Sequence, residues 1–199
     1  GRTREEARQK LLRAVQDCVL LGVPSNQPFL ASCLASAAFT GNDVHTGFVD
    51  AHMQASLQPA EPSRHVIAIA ALAASGQLSR SEPAALSRMT TSVRLHAEGR
   101  PWESTVVATE EGWRVPVSAR GEAGAQSVHV RMLRDHAADG AAWIECDGMA
   151  RPVLHADDDL AIHLFADGRA WRFTRHDPRR RNTEGESSGA LTAPLTARI

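Results

Sequence analysis

The stretch VIAIAALAA, Val66 to Ala74, runs for nine residues without one polar side chain. Ser63 is a good helix cap and Gly76 a good stop, so the segment reads as a helix over about 63–76, roughly 20 Å long. A helix that is apolar all round has to be buried all round. Five of its nine central residues are alanine, which makes the rod thin as well as greasy. Whatever else this chain does, it must enclose that rod.

The material for doing so lies downstream. After Pro83 the apolar period changes from helical to alternating: Val128, Val130 and Met132 alternate with Ser127, His129 and Arg131, and Leu160, Ile162 and Leu164 share one face. Eight strands are predicted, near 88–97, 101–109, 112–118, 126–134, 141–146, 149–155, 159–165 and 169–175. Turn signals separate them at Glu98-Gly99, Glu111-Gly112, Asp139-Gly140, Asp147-Gly148 and Asp167-Gly168, the last two tight enough for short hairpins. Pro116 and Pro152 are expected at edges or bulges, because proline cannot donate to a ladder. The expected fold is therefore α+β, a central helix wrapped by an antiparallel barrel of about eight strands. A closed barrel of eight strands normally has room only for its own side chains, but alanines thin the helix and incomplete closure would accommodate it; the alternative is a helix under one face of an open sheet.

The first sixty residues are helical. Thr3 and Glu6 have capping-box spacing, and Ala7, Leu11, Ala14, Val15, Cys18 and Val19 recur at helical intervals up to a stop at Gly22. Asn26 is the expected cap of a second helix, QPFLASCLAS, with Pro28 in its first turn, and Thr46 that of a short third, GFVDAH. Leu57 to Ser63 turns to Gln, Pro, Glu and Ser and marks a boundary. The charged stretch 179–189, with its arginine run Arg179 to Arg181, reads as a linker, and ALTAPLTARI at 190–199 resumes apolar character as a strand without a partner.

Chemical signals are sparse. The formal charge is −1, without the basic footprint of a nucleic-acid binder. No segment approaches the apolar length that spans a bilayer, so no membrane partner is expected. Cys18, Cys33 and Cys146 form no C-x-x-C pair, which argues for a reducing compartment and for cysteines acting as small core residues. Among nine histidines, His45 and His52 are seven apart, and His129, His136, His155, His163 and His176 are scattered. None has the spacing of a zinc motif, so solvated or hydrogen-bonded imidazoles are expected. There is no P-loop, no G-x-G-x-x-G and no G-x-S-x-G elbow. Lys10 is the only lysine among 22 basic residues, which excludes lysine chemistry anywhere else in the chain.

Three separated stretches resemble the α subunits of biotin-dependent acyl-CoA carboxylases. Residues 3–52 are similar to the final helices of a biotin carboxylase domain, with Gly22, Asn26, Phe29, Leu30, Phe39, Gly41, Thr46 and Phe48 in the family's order and spacing. ALTAPLTARI resembles the opening strand of a biotinyl domain, and LFADGRAWRFTRHDP resembles the close of the domain between them. VHTGFVDAH and the Ala-Pro-x-Thr form are most similar to 3-methylcrotonyl-CoA carboxylases, with geranyl-CoA carboxylases close behind.

The resemblance implies four parts: 1–56 as the last helices of a biotin carboxylase domain, 63–178 as a subunit-docking domain, 179–189 as linker and 190–199 as the start of a biotinyl domain. In that family the docking domain is a long helix inside an eight-stranded antiparallel barrel. The whole enzyme would use ATP, Mg and biotin, in a bacterial cytoplasm or a mitochondrial matrix. This stretch would bind no cofactor and hold no catalytic or metal-ligating residue. Its implied partners are the carboxyltransferase β subunit and the rest of the α subunit, and the expected contact is the segment from about Gln77 to Leu86, with Leu78, Pro83 and Leu86 as apolar anchors beside Arg80 and Glu82. The competing expectation is a freestanding barrel holding an apolar ligand.

Overall fold

A computed structural model describes residues 1–78, 90–119, 124–134, 141–158 and 160–175. Eight strands follow one another around a closed barrel, each antiparallel to the next: β1 Thr91–Ala97, β2 Arg100–Thr109, β3 Gly112–Ala119, β4 Gln126–Arg134, β5 Ala142–Cys146, β6 Met149–Asp157, β7 Ala161–Ala166 and β8 Arg169–Arg175. The expected barrel of eight antiparallel strands around a helix is what forms, and it is fully closed. The seam between β1 and β8 is zipped by Leu95↔Arg175 and His96↔Thr174. With closure, the open-sheet alternative falls.

The helix of the opening stretch, Arg64–Ala74, lies among the strands and packs on β1, β2, β3, β4 and β7. Val66 through Ala73 are all buried, in one cluster with Val93, Leu95, Val115, Val128, Ile144, Ile162, Leu164 and Phe173 from the inner faces of the strands. Alanine makes this possible: Ala68, Ala70 and Ala71 let the sheet approach the helix backbone on several sides, while Ile67, Ile69 and Leu72 fill what remains. Each of those three larger side chains contributes roughly 1.5–3 kcal/mol by leaving water. Ser63 Oγ accepts from Val66 N–H at the start, as expected, and the end is a Schellman turn with Gly76 at φ +70, Gln77 N–H donating to Leu72 O and Gly76 N–H to Ala73 O.

Three of the five expected turns are two-residue hairpins with both residues at positive φ: Glu98-Gly99, Asp147-Gly148 and Asp167-Gly168. That geometry matches the twist of the flanking strands. Gly112 is needed for another reason, since a Cβ there would collide with Val130 O on β4. Asp139-Gly140 falls outside the described residues. The prolines sit in an edgeless barrel at places where a ladder is locally missing. Pro116 lies in the gap between Ser104↔Val117 and Val107↔Arg114, with Ser104 Oγ donating to its carbonyl, and Pro152 lies beyond the last β6–β7 pair, Leu154↔Phe165. β7 begins at Ala161, later than predicted, because the Asp158 carboxylate accepts from Leu160 N–H and Ala161 N–H and turns the chain there.

The helices before the barrel are α1 Arg4–Asp17, α2 Gln27–Ala35, α3 Ala37–Thr40 and α4 Phe48–His52, with a 3-10 turn at Gln54–Leu57, so that the barrel's helix is α5. α1 stops five residues short of Gly22. Gln27 Nε2 donates to the carbonyls of Val15 and Cys18, taking up acceptors at the helix end, and Cys18 turns extended. Asn26 makes no side-chain cap; Ser25 Oγ accepts from Gln27 N–H instead. Gly47, not Thr46, precedes α4. Of the cysteines, Cys146 is buried, Cys33 half-buried and Cys18 exposed, so the expectation of three core residues holds only in part.

Candidate docking site

The strand topology gives the barrel two different ends. β1, β3, β5 and β7 finish at one, and begin at the other. α5 starts at the first. There Arg64 donates to Gln126 Oε1 (3.1 Å) and to Asp147 Oδ2 (3.2 Å), and His65 Nε2 meets the same carboxylate at 3.1 Å. Asp147 also accepts from His129 N–H at 2.9 Å. Burial pushes its carboxyl up, but the His129 N–H, His65 and Arg64 outweigh this and hold it below the ordinary aspartate value. The helix is thus clamped where it enters, by groups anchored in a rigid hairpin.

From this clamp α5 points to the opposite end, where β1 starts. The described chain leaves the helix at Leu78 and resumes at Thr90, one residue before β1. The segment expected to dock a partner, about Gln77 to Leu86, falls mostly between these two points. Arg80, Glu82, Pro83 and Leu86 lie outside the described residues. Leu78 is described, and its expected role is corrected: it is 0% exposed and belongs to the core cluster. The Schellman turn brings it inside, where it continues the apolar surface of α5, so it serves the barrel interior and offers no surface anchor.

The rim at this second end has apolar side chains in water. Leu133 is 44% exposed, Trp143 38% and Leu160 53%. Leu133, Arg134 and Trp143 line a concavity of about 360 Å³ on the outer face of β4 and β5. Sequence reading passed over these residues because each sits at the end of a strand, where alternation no longer tells inside from outside. A larger groove of about 560 Å³ runs past Glu110, Glu111, Trp113, His129, Arg131 and Glu145, but Arg131 and Glu145 neutralise each other across β4 and β5 at 2.9 Å.

The barrel interior has little to offer chemistry. Cys146 faces into it, and burial pushes its thiol up to about 12, far from a nucleophilic thiolate. His163, though buried, lies on the face of β7 opposite the inward Ile162 and Leu164 and is bound to Asp158 at 3.1 Å. An apolar ligand would have to occupy the space that α5 fills. Among the described residues no helix is long and apolar enough to cross a membrane. No protein-family model matches this chain, and no curated protein matches it.

Proposed function

We propose that this chain is the non-catalytic linking and docking region of a biotin-dependent acyl-CoA carboxylase α subunit. It would couple ATP-dependent carboxylation of biotin to carboxyl transfer on a β subunit, with 3-methylcrotonyl-CoA as the acceptor and geranyl-CoA as the next choice. The observation that carries the reading is the helix enclosed on all sides by the barrel. A filled, clamped barrel is a stiff spacer with surfaces at its two ends, suited to holding domains and subunits at a fixed separation and unsuited to binding a substrate inside. The resemblance of residues 3–52 and 190–199 to flanking carboxylase domains supplies the partners. Three unpaired cysteines agree with a reducing compartment, bacterial cytoplasm or mitochondrial matrix.

The test is assembly with the carboxyltransferase β subunit of a 3-methylcrotonyl-CoA carboxylase, followed by size exclusion with light scattering. A stoichiometric complex is expected, and Leu86→Asp combined with Arg80→Glu should weaken it at least tenfold while leaving the circular dichroism spectrum unchanged. Leu78→Asp is unsuitable, because it would bury an unpaired carboxylate in the core. Absence of any complex, together with a small apolar molecule retained in native mass spectrometry, would instead establish a freestanding binding barrel.

A further inference from the structure

Independently of the docking reading, the helical part of the chain brings together three side chains that no spacing rule singled out. Asp43, in the turn after α3, receives two imidazoles. Its Oδ2 lies 3.1 Å from Nε2 of His52, at the end of α4, and its Oδ1 lies 3.9 Å from Nε2 of His45. The two rings meet edge to face with centroids 6.2 Å apart, and one ligand atom from each of the three residues falls within 4.8 Å of the others. We propose that Asp43, His45 and His52 bind a divalent cation of the zinc class.

Three features point to that ligand. Two imidazole nitrogens and one carboxylate oxygen are the donors of a borderline ion such as Zn²⁺; Ca²⁺ and Mg²⁺ take oxygen. The distances are also close. Bonds of about 2.0–2.2 Å in a tetrahedral site put neighbouring donors roughly 3.3 Å apart, so small rotations of exposed side chains bring 3.1 and 3.9 Å to that value. The backbone beneath the cluster is held: Asp43 N–H donates to Ala38 O, Met53 N–H donates to Val49 O, and the His52 ring packs against Phe48, itself buried, at 5.5 Å. The fourth position is left to water.

Binding replaces the hydrogens between the imidazoles and Asp43. A neutral ring shifts its proton to Nδ1 and a charged ring releases one to solvent. For His45 the shift has a cost, because its Nδ1 accepts from Gly47 N–H at 3.1 Å and that hydrogen bond is lost. His52 is therefore the stronger imidazole ligand and His45 the weaker. The site would clip the start of the α3–α4 turn to the end of α4.

The experiment is a titration of the full chain with ZnCl₂, followed by calorimetry and by the imidazole ring resonances. One equivalent should bind, shifting the His45 and His52 resonances before those of any other histidine. Asp43→Asn and His52→Ala should each weaken binding by about tenfold or more, and His45→Ala by less. All three positions are exposed, so circular dichroism should be unchanged. The proposal is overturned if excess Zn²⁺ leaves the two resonances of the wild-type chain unmoved, or if the affinity is the same in a D43N/H52A variant.

Discussion

α1 and α5 begin alike and end up in opposite surroundings. Thr3 caps the first through Glu6 N–H and Ser63 caps the second through Val66 N–H. Yet α1 has no buried residue, whereas Val66 through Ala73 of α5 are all buried. The difference lies in what each does with its side chains. α1 keeps its charges at the surface: Glu5 pairs with Arg8 at 2.6 Å and Glu6 with Lys10 at 2.7 Å, hydrogen bonds from Arg8 and Gln9 hold the Glu5 carboxyl at about 2, and Arg4 and Arg8 reach the carbonyls of Phe39 and Leu34. α5 has nothing to pair and nothing to hydrate along its middle. Local signals start a helix; only the non-local ones decide whether it is a surface or a core.

The contrast can be broken most forcefully inside the barrel. Ile69→Ala leaves a hole that strands on a closed barrel cannot collapse to fill, and should cost about 2–5 kcal/mol in urea or guanidinium unfolding. Loss of less than about 1 kcal/mol would mean that the helix is loosely held. The converse change, Ala70→Leu, adds volume where the sheet already touches the helix backbone and should cost about 1–3 kcal/mol, even though leucine is more hydrophobic. A stabilised variant would contradict the idea that the rod must be thin.

The caps give a smaller and more diagnostic comparison. Ser63→Ala should lower global stability by about 1 kcal/mol, because the helix it starts is part of the core. Thr3→Ala should leave the barrel's unfolding midpoint in place, since the α1 helix touches little of it. At the clamp, the Asp147 carboxyl is held below its usual value in the folded state. Its contribution is therefore complete above the ordinary aspartate range and is lost as pH falls through the depressed folded-state value. Stability followed against pH should drop on the acid side, and Asp147→Asn should flatten that limb; an unchanged limb would show that the His129 N–H, His65 and Arg64 do not together hold the Asp147 carboxylate in solution. The smallest effect belongs to α1: Leu11, 53% exposed, should tolerate replacement by alanine within about 0.5 kcal/mol in this chain.

Much of the barrel was legible in the residues. Strands β4 and β8 match their predicted limits, and the Asp147-Gly148 and Asp167-Gly168 hairpins stand where dipeptides of that kind predict them, because short-range φ preferences and period-two burial act over a few residues. The early end of α1 was not legible, since it depends on the Gln27 amide reaching back to the carbonyls of Val15 and Cys18. Nor was the fate of Leu78, which looked like part of an exposed loop until the turn at Gly76 brought it inside. The convergence of Asp43 with His45 and His52 is illegible for the same reason: a spacing of seven residues across a turn and a helix corresponds to no single periodic face.

The sequence by itself determined that Val66 to Ala74 had to be enclosed, because no arrangement in water hides nine apolar residues on every side of a free helix. It determined the number of strands as well, through alternation and turn chemistry. Tertiary structure alone decided that the barrel closes completely, at the short seam of Leu95↔Arg175 and His96↔Thr174. That choice depends on how near eight strands can approach a helix narrowed by alanine, a sum of contacts between residues up to about eighty positions apart that no local pattern contains.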